Sequence, residues 1–107
     1  MELPLFPLNT VLFPGATMPL HIFEERYKQM IGMCLEERRP FGVLLIRKGN
    51  EVGESAEPFE VGTTAHIVRV QHLPDGRLNL VCIGGRRFRV LRLVQADPYL
   101  AGEVELL

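Results

Sequence analysis

The stretch that decides the fold runs from residue 61 to residue 94 and reads VGTTAHIVRVQHLPDGRLNLVCIGGRRFRVLRLV. β-Branched and other apolar residues dominate both of its halves, and such residues suit the pleated surface of a strand. Between the halves, residues 73–77 (LPDGR) combine a proline that fixes φ with a glycine that tolerates positive φ. The stretch therefore predicts a long hairpin, in which a strand over residues 61–73 pairs with one over residues 78–83.

Two adjacent glycines, Gly84 and Gly85, follow the second arm of this hairpin. Glycine inside a strand pattern commonly marks a bulge or a sharp bend. We therefore expect a bend or bulge here, then a further strand over residues 87–94 and a last one over residues 102–107.

The segments upstream of the hairpin are also extended. Residues 41–46 (FGVLLI) are apolar on both faces, which predicts a central strand, and residues 17–23 resume an extended pattern after a turn at residues 13–15. Residues 3–8 are apolar but contain Pro4 and Pro7. Because proline has no N–H to donate to a ladder, we expect this opening strand at a sheet edge or broken into pieces. Residues 48–59 show no periodicity and predict a surface loop.

One segment, residues 24–39, predicts a helix. Its apolar residues recur at helical spacing and form one stripe, made of Tyr27, Met30, Ile31, Cys34 and Leu35. Acidic residues at 24 and 25 and basic residues at 38 and 39 complement the helix dipole, and Pro40 ends the helix. Together these elements predict a mostly β (α+β) fold, a small closed or half-closed barrel of about six strands with one main helix.

Composition points to one soluble globular domain over residues 1–107. The 107 residues are 47% hydrophobic and 23% charged, with a formal net charge of −1. This near-neutral balance gives no general electrostatic reason to bind nucleic acid or an acidic membrane. The longest apolar run, residues 43–46, is too short to cross a bilayer, and the first residues show no basic, then apolar, leader. We therefore expect a cytoplasmic protein.

Residues able to carry chemistry are scattered, and none forms a recognisable site. Ser55 has no Gly-x-Ser-x-Gly surroundings, and Cys34 and Cys82 fall on apolar faces, which predicts buried, reduced thiols. The three histidines, His21, His66 and His72, lack the spacing of metal ligands. We therefore expect no catalytic residue, no metal site and no cofactor.

One run of basic residues invites a binding hypothesis: Arg86, Arg87, Arg89 and Arg92. Strand alternation predicts that Arg87 and Arg89 share one face while Arg86 and Arg92 share the other. Such a patch could bind an anion or RNA. Glutamates at 103 and 105 on a neighbouring strand could equally pair with these arginines, and we favour the salt-bridged or solvated interpretation.

Motifs along nearly the whole chain resemble the N-terminal domain of the Lon protease family. They occur in the family's order: LPLFPL (3–8), VLFPG (11–15), PLHIFE (19–24) with Arg26 and Tyr27, FGV (41–43), VGT (61–63), LPDG (73–76), GRRFRV (85–90) and PYL (98–100). The resemblance implies a PUA-like β fold with one main helix, as in that domain and the related region of cereblon.

The same resemblance implies a binding function. In Lon this domain helps to capture protein substrates and to assemble the hexamer, while separate domains hydrolyse ATP and cut peptides. The helical bundle, the ATPase and the serine–lysine protease domain have no counterpart in residues 1–107, so no catalytic residue carries over. We expect a non-catalytic module that binds unfolded or partly folded polypeptide or a protein partner, and weak self-association is compatible with it.

Candidate contact residues come from the proline-rich segments near the start of the chain. These segments leave apolar side chains and strand edges to which an extended peptide could add, and the candidates are Phe6, Phe13, Met18 and Phe23. Filling of the barrel ends is the competing interpretation of each. The alternative function is PUA-like RNA binding through residues 86–92, an argument from fold analogy that the near-neutral charge disfavours.

Overall fold

The computed structural model describes residues 1–48, 51–52 and 57–107, with the backbone alone at Glu57. Ser55 lies outside the described residues. Within them the chain forms six strands and one helix: β1 (Glu2–Leu8), β2 (Thr17–Ile22), α1 (Glu25–Glu37), β3 (Phe41–Lys48), β4 (Glu57–His72), β5 (Leu78–Gln95) and β6 (Leu100–Leu106). The predicted mostly β class with one main helix is confirmed.

The strands close into a ring. Their order is β2-β5-β4-β3-β1-β6, and β6 pairs in addition with β5, so that five strands form a closed circuit. The long β5 strand makes this closure possible, because its first half pairs with β2 and its second half with β6. Closure leaves fewer strand edges open to other chains than a flat sheet would.

The predicted hairpin joins β4 and β5. The Leu73 N–H donates to the Arg77 carbonyl at 2.9 Å, and Gly76 has a φ of 89°, which explains the glycine in the turn. The predicted bulge is present too, because Thr63 lies opposite Arg87 while Ala65 lies opposite Gly84. The bulge bends β5 without ending it, so the two predicted strands are one. The predicted loop over residues 48–59 also needs correction, since β4 begins at Glu57.

The position of β1 differs from the prediction of an edge or broken strand. It is one continuous strand between β3, to which it is parallel, and β6, to which it is antiparallel. The two partners cover different halves, with β6 opposite residues 2–5 and β3 opposite residues 5–8. Each half of β1 therefore has one unpaired side.

The two prolines of β1 occupy those unpaired sides. The Met1 carbonyl accepts from the Val104 N–H at 2.7 Å, so the backbone polar groups of odd-numbered residues face β6 and those of even-numbered residues face β3. The nitrogen of Pro4 thus points to the β3 side before that pairing starts. The nitrogen of Pro7 points to the β6 side after that pairing has ended. No ladder donor is lost at either position.

Helix α1 packs four residues of its predicted stripe into the core: Tyr27, Met30, Ile31 and Cys34. Leu35, the fifth, is 37% exposed, because it lies about 90° round the helix from the centre of the other four. The arginines predicted in the last turn lie beyond it. Arg38 is the C-cap, with a φ of 55°, and its N–H donates to the Cys34 carbonyl.

The core has two parts. The larger lies beneath α1 and contains Phe6 and Met18, while the smaller fills the ring around Phe88. Two glycines make room for the aromatic ring of Phe88. A Cβ atom on Gly42 would lie 2.6 Å from the Phe88 Cζ atom, and one on Gly62 would lie 2.7 Å from it. Only glycine therefore lets β3 and β4 pass so close to a buried phenylalanine.

Candidate functional site

An open apolar groove of about 400 Å³ lies between the loop at residues 9–16 and strands β3, β4 and β5. We call it the Phe13 groove; its lining includes Val11, Phe13, Val43, Leu45, Phe59, Val61, Thr63 and Arg87. Several of these side chains face solvent: Phe13 is 58% exposed, Phe59 45%, Val11 39% and Val61 38%. Such a cluster of exposed apolar groups around a concavity is typical of an interaction site.

Backbone hydrogen bonds fix the loop that carries Phe13 to the bulge in β5. The Gly15 N–H donates to the Gly84 carbonyl at 2.8 Å, and the Gly84 N–H donates to the Ala16 carbonyl at 2.9 Å. Gly84 is necessary for this approach, because a Cβ atom there would collide with the Phe13 carbonyl. Leu12 is only 2% exposed and anchors the loop in the core, so that Phe13 is held at the surface.

Arg87 forms one wall of the groove. Its guanidinium carbon lies 5.7 Å from the centroid of the Phe13 ring, within cation–π range. Thr63 is directly opposite Arg87 across β4 and β5, and its buried hydroxyl has no hydrogen-bond partner among the described residues. The groove therefore combines an apolar surface with one cation at its wall and one unsatisfied polar atom at its base.

A second pocket, of about 240 Å³, lies between β1, β2 and α1, and we call it the Tyr27 pocket. The ring of Phe6 stacks on that of Tyr27, with centroids 4.0 Å apart and planes inclined by 6°. Arg26 covers the Tyr27 ring at 4.7 Å, and burial raises the pKa of the Tyr27 phenol. Phe23, which is 46% exposed, lies at the rim.

The structure separates the four contact residues predicted from the sequence. Phe6 and Met18 are core residues, 6% and 8% exposed, so their side chains offer little surface to a partner. Phe13 and Phe23 are at the surface, but they line different pockets. Sequence reasoning missed Phe59 and Val61. The available signal was the alternation of residues 59, 61 and 63 on one strand face, which the assignment of residues 48–59 to a loop obscured.

Proline also affects the outer edge of β2, to which a peptide was expected to add. The Ala16 carbonyl accepts from Gly84, so the polar groups of Met18 and Leu20 face β5 and those of Thr17, Pro19 and His21 face outwards. Pro19 has no N–H and thus interrupts the row of outward donors. This edge is a poor template for an added strand.

The four arginines do not alternate as predicted. A bulge between Val90 and Arg92 moves Arg92, so that Arg92 lies opposite Glu103 while Arg89 lies opposite Glu105. Since opposed residues of a pair share a face, Arg92 joins Arg87 and Arg89 on one face and leaves Arg86 on the other. The prediction that Arg86 and Arg92 share a face is therefore wrong.

Glu103 and Glu105 lie on the strand next to the arginines, as expected, but they form no ion pairs with them. Among the described residues, no carboxylate is within ion-pair distance of Arg87, Arg89 or Arg92. Glu103 instead binds the amine of Met1 at 2.7 Å, and that hydrogen bond lowers the pKa of the glutamate. Arg86 donates to the Leu107 carbonyl at 2.9 Å.

The other polar residues singled out in the sequence lie apart from the groove. Cys34 and Cys82 are buried and unbridged, as predicted, and burial raises the pKa of each thiol to about 11. His21 bonds Asn79 at 2.7 Å, and His66 bonds Thr64 at 3.3 Å. Within residues 1–48, 51–52 and 57–107 no cluster of histidine, cysteine and acidic side chains could hold a metal ion. No helix in these ranges is long and apolar enough to cross a membrane.

Comparison with known proteins identifies the family to which this fold belongs. The family model of the ATP-dependent protease La (LON) substrate-binding domain matches residues 2–107. The chain belongs to the Lon substrate-binding domain family. It is 34% identical over 105 residues to the Lon protease of Anaeromyxobacter dehalogenans, with 96% of this chain and 12% of that protein covered. For the Lon protease of Parabacteroides distasonis the identity is 33% over 107 residues, covering 98% and 13%.

Solved structures agree with this assignment. The Lon N-terminal domain protein from Xanthomonas campestris is 41% identical, has a TM-score of 0.84, and covers 99% of this chain with 59% of its own. The N-terminal domain of the Mycobacterium avium complex Lon protease shares the fold alone, at 18% identity and a TM-score of 0.73, over 100% of this chain and 55% of its own. The chain thus spans about one-eighth of the Lon proteases it matches.

Proposed function

We propose that this Lon-type domain is a non-catalytic module that captures exposed apolar side chains of unfolded or partly folded polypeptides in the Phe13 groove. The observation that carries the proposal is the cluster of exposed Phe13, Phe59 and Val61 around an open concavity. The substrate-binding role of the matched family supports it. The unbridged Cys34 and Cys82 support a reducing compartment such as the cytoplasm.

The size of the groove sets the expected affinity. A cavity of about 400 Å³ accommodates two or three apolar side chains, each contributing about 1.5–3 kcal/mol when it is buried. Association costs at least about 4 kcal/mol in rigid-body freedom. The difference is at most about 5 kcal/mol, which corresponds to a dissociation constant of roughly 0.2 mM or weaker. Robust capture would then depend on several modules acting together.

RNA binding through the arginines has weaker support. Glu103 and Glu105 lie opposite two of the arginines and reduce the local positive charge, and the whole chain carries a net charge of −1. Modules that bind RNA through phosphate contacts are usually basic. Polypeptide therefore remains the preferred partner.

Substitution of exposed apolar residues tests the proposal. Affinity for a fluorescently labelled, reduced and carboxymethylated polypeptide, which cannot refold, should fall at least about fivefold for Phe13→Ser, since one buried side chain contributes that much or more. The matched control is Val68→Ser, which removes an apolar residue that is 55% exposed on β4 and does not line the groove. Phe23→Ser tests the Tyr27 pocket in the same assay. Loss of binding in Phe23→Ser but not in Phe13→Ser would contradict the assignment to the Phe13 groove.

A further inference from the structure

The Phe13 groove and the arginines on its face form one continuous surface. Arg87 lines the groove, and Arg89, directly opposite Val61, continues along β5. The bulge after Val90 adds Arg92 to the same face. We call Arg87, Arg89 and Arg92 the arginine column. Because the bulge adds one residue to β5, the column extends over four ladder steps from the groove wall, or about 13 Å at the rise of a strand.

The arginine column carries positive charge that Glu103 and Glu105 reduce but do not cancel. Arg89 and Arg92 are exposed, and in the described part of the chain none of the three guanidinium groups forms an ion pair. Glu103 and Glu105 share this face, but the carboxylate of Glu103 already binds the amine of Met1. An apolar groove therefore borders a positive strip on a protein whose total charge is −1.

We propose that this surface selects polypeptide segments in which a bulky apolar residue is followed or preceded, within about five residues, by a run of acidic residues. The apolar side chain occupies the Phe13 groove, and the carboxylates lie along the arginine column. This selectivity rests on the proposed function, because the apolar contact supplies most of the affinity. The arginines discriminate among partners through complementary charge.

The geometry favours a peptide over a nucleic acid as the occupant. Exposed apolar side chains, those of Phe59, Val61 and Val11, surround the groove, and its unsatisfied Thr63 hydroxyl is a neutral group. A polynucleotide would bring a phosphate at every step, including at the apolar groove, whereas a peptide can carry charge on one side of its apolar residue alone. The arginine column therefore suits a short acidic run.

Matched peptides of about 12 residues, long enough to span groove and column, test the preference. Each contains a Phe-Leu pair flanked by a run of glutamates, of glutamines or of lysines, with the run placed before or after the pair. By fluorescence anisotropy at low salt the glutamate peptides should bind on the order of tenfold tighter than the lysine peptides, as expected for several exposed charge contacts. The ratio should fall below about twofold near 0.5 M salt, where screening is strong.

Two double variants separate the arginine column from general charge. Arg89→Gln with Arg92→Gln should remove the preference for glutamate, while affinity for the glutamine peptide stays within about twofold, since exposed charges contribute little on their own. Arg69→Gln with Arg77→Gln removes the same formal charge from two exposed positions outside the groove lining and should keep the preference.

The possible results distinguish a failure of the preference for acidic segments from a failure of the proposed function. Equal affinity for the glutamate and lysine peptides, still weakened by Phe13→Ser, would refute the preference and leave capture in the groove intact. Absence of binding by every peptide would refute both. A single-stranded RNA of matched length that binds more tightly than the glutamate peptide and loses affinity in the Arg89→Gln, Arg92→Gln variant would assign the column to nucleic acid.

Discussion

At the scale of single residues, Gly84 shows how one missing side chain builds the groove. Its backbone donates to Ala16 and accepts from Gly15, and no Cβ atom fits between it and the Phe13 carbonyl. The sequence predicted a bulge at this position from the pair of glycines. It could not predict that the bulge holds the Phe13 loop, because the two segments are some 70 residues apart and nothing local records their contact.

Gly84→Ala should therefore destabilise the fold and weaken polypeptide binding together. The new Cβ atom must displace the loop backbone, and we expect a loss of about 1–3 kcal/mol in the free energy of unfolding, typical of forced backbone strain. Gly32→Ala is the control, because a Cβ atom on this helical glycine meets no atom within 4 Å. It should raise stability by about 0.5–1 kcal/mol. Chemical denaturation measures both, and equal stability of Gly84→Ala and the parent would contradict the close approach.

The two buried thiols make stability depend on alkaline pH. Burial raises the pKa of Cys34 and Cys82 from 9.0 to about 11, so between these values the unfolded chain has lost protons that the folded chain keeps. Their contribution to stability is fully present below pH 9 and is lost as pH rises through 11. Denaturation midpoints should thus decline over this window. A Cys34→Ala, Cys82→Ala variant should decline less steeply, and identical slopes would rule out the thiols as the cause.

At the scale of elements, periodicity predicted the helix and turn chemistry predicted the hairpin. The predictions for β1 and for Arg92 were wrong because pairing with a neighbouring strand, rather than the local sequence, determines the structure there. The prolines in β1 indicated an edge strand, yet pairing with β6 over one half and with β3 over the other lets an interior strand hold both of them. In β5 a bulge after Val90 reversed the alternation, and this moved Arg92 to the face of Arg89. No local pattern marks that bulge, since the sequence has no glycine there.

The helix provides a prediction at this scale. Ile31→Ala should cost about 2–5 kcal/mol, because the side chain is 0% exposed and its removal leaves a cavity. Leu35→Ala should cost less than about 1.5 kcal/mol, because Leu35 is 37% exposed although it follows the same apolar stripe in the sequence. Urea denaturation of the two variants ranks them directly. A larger loss for Leu35→Ala would show that the helix is rotated relative to this packing.

At the scale of the whole molecule, the Phe13 groove exists only because the fold brings distant segments together. The Phe13 groove draws on a loop at residues 9–16, on β3, on the start of β4 and on β5, so its parts come from widely separated segments. The sequence identified Phe13 as a candidate contact but grouped it with Phe6 and Met18, which the core buries. Family resemblance gave the fold and a general binding role. Only the three-dimensional arrangement shows which exposed apolar residues are neighbours.

The most direct test of the central claim, that the Phe13 groove captures unfolded polypeptide, is an NMR titration of the ¹⁵N-labelled domain with a reduced, carboxymethylated polypeptide. Saturable amide shifts should be centred on Val11, Phe13, Phe59, Val61 and Arg87, with midpoints in the roughly submillimolar to millimolar range. The same titration of Phe13→Ser should lose these shifts. Saturable shifts centred on Phe23 and Tyr27, or shifts spread evenly over the sheet, would contradict this claim.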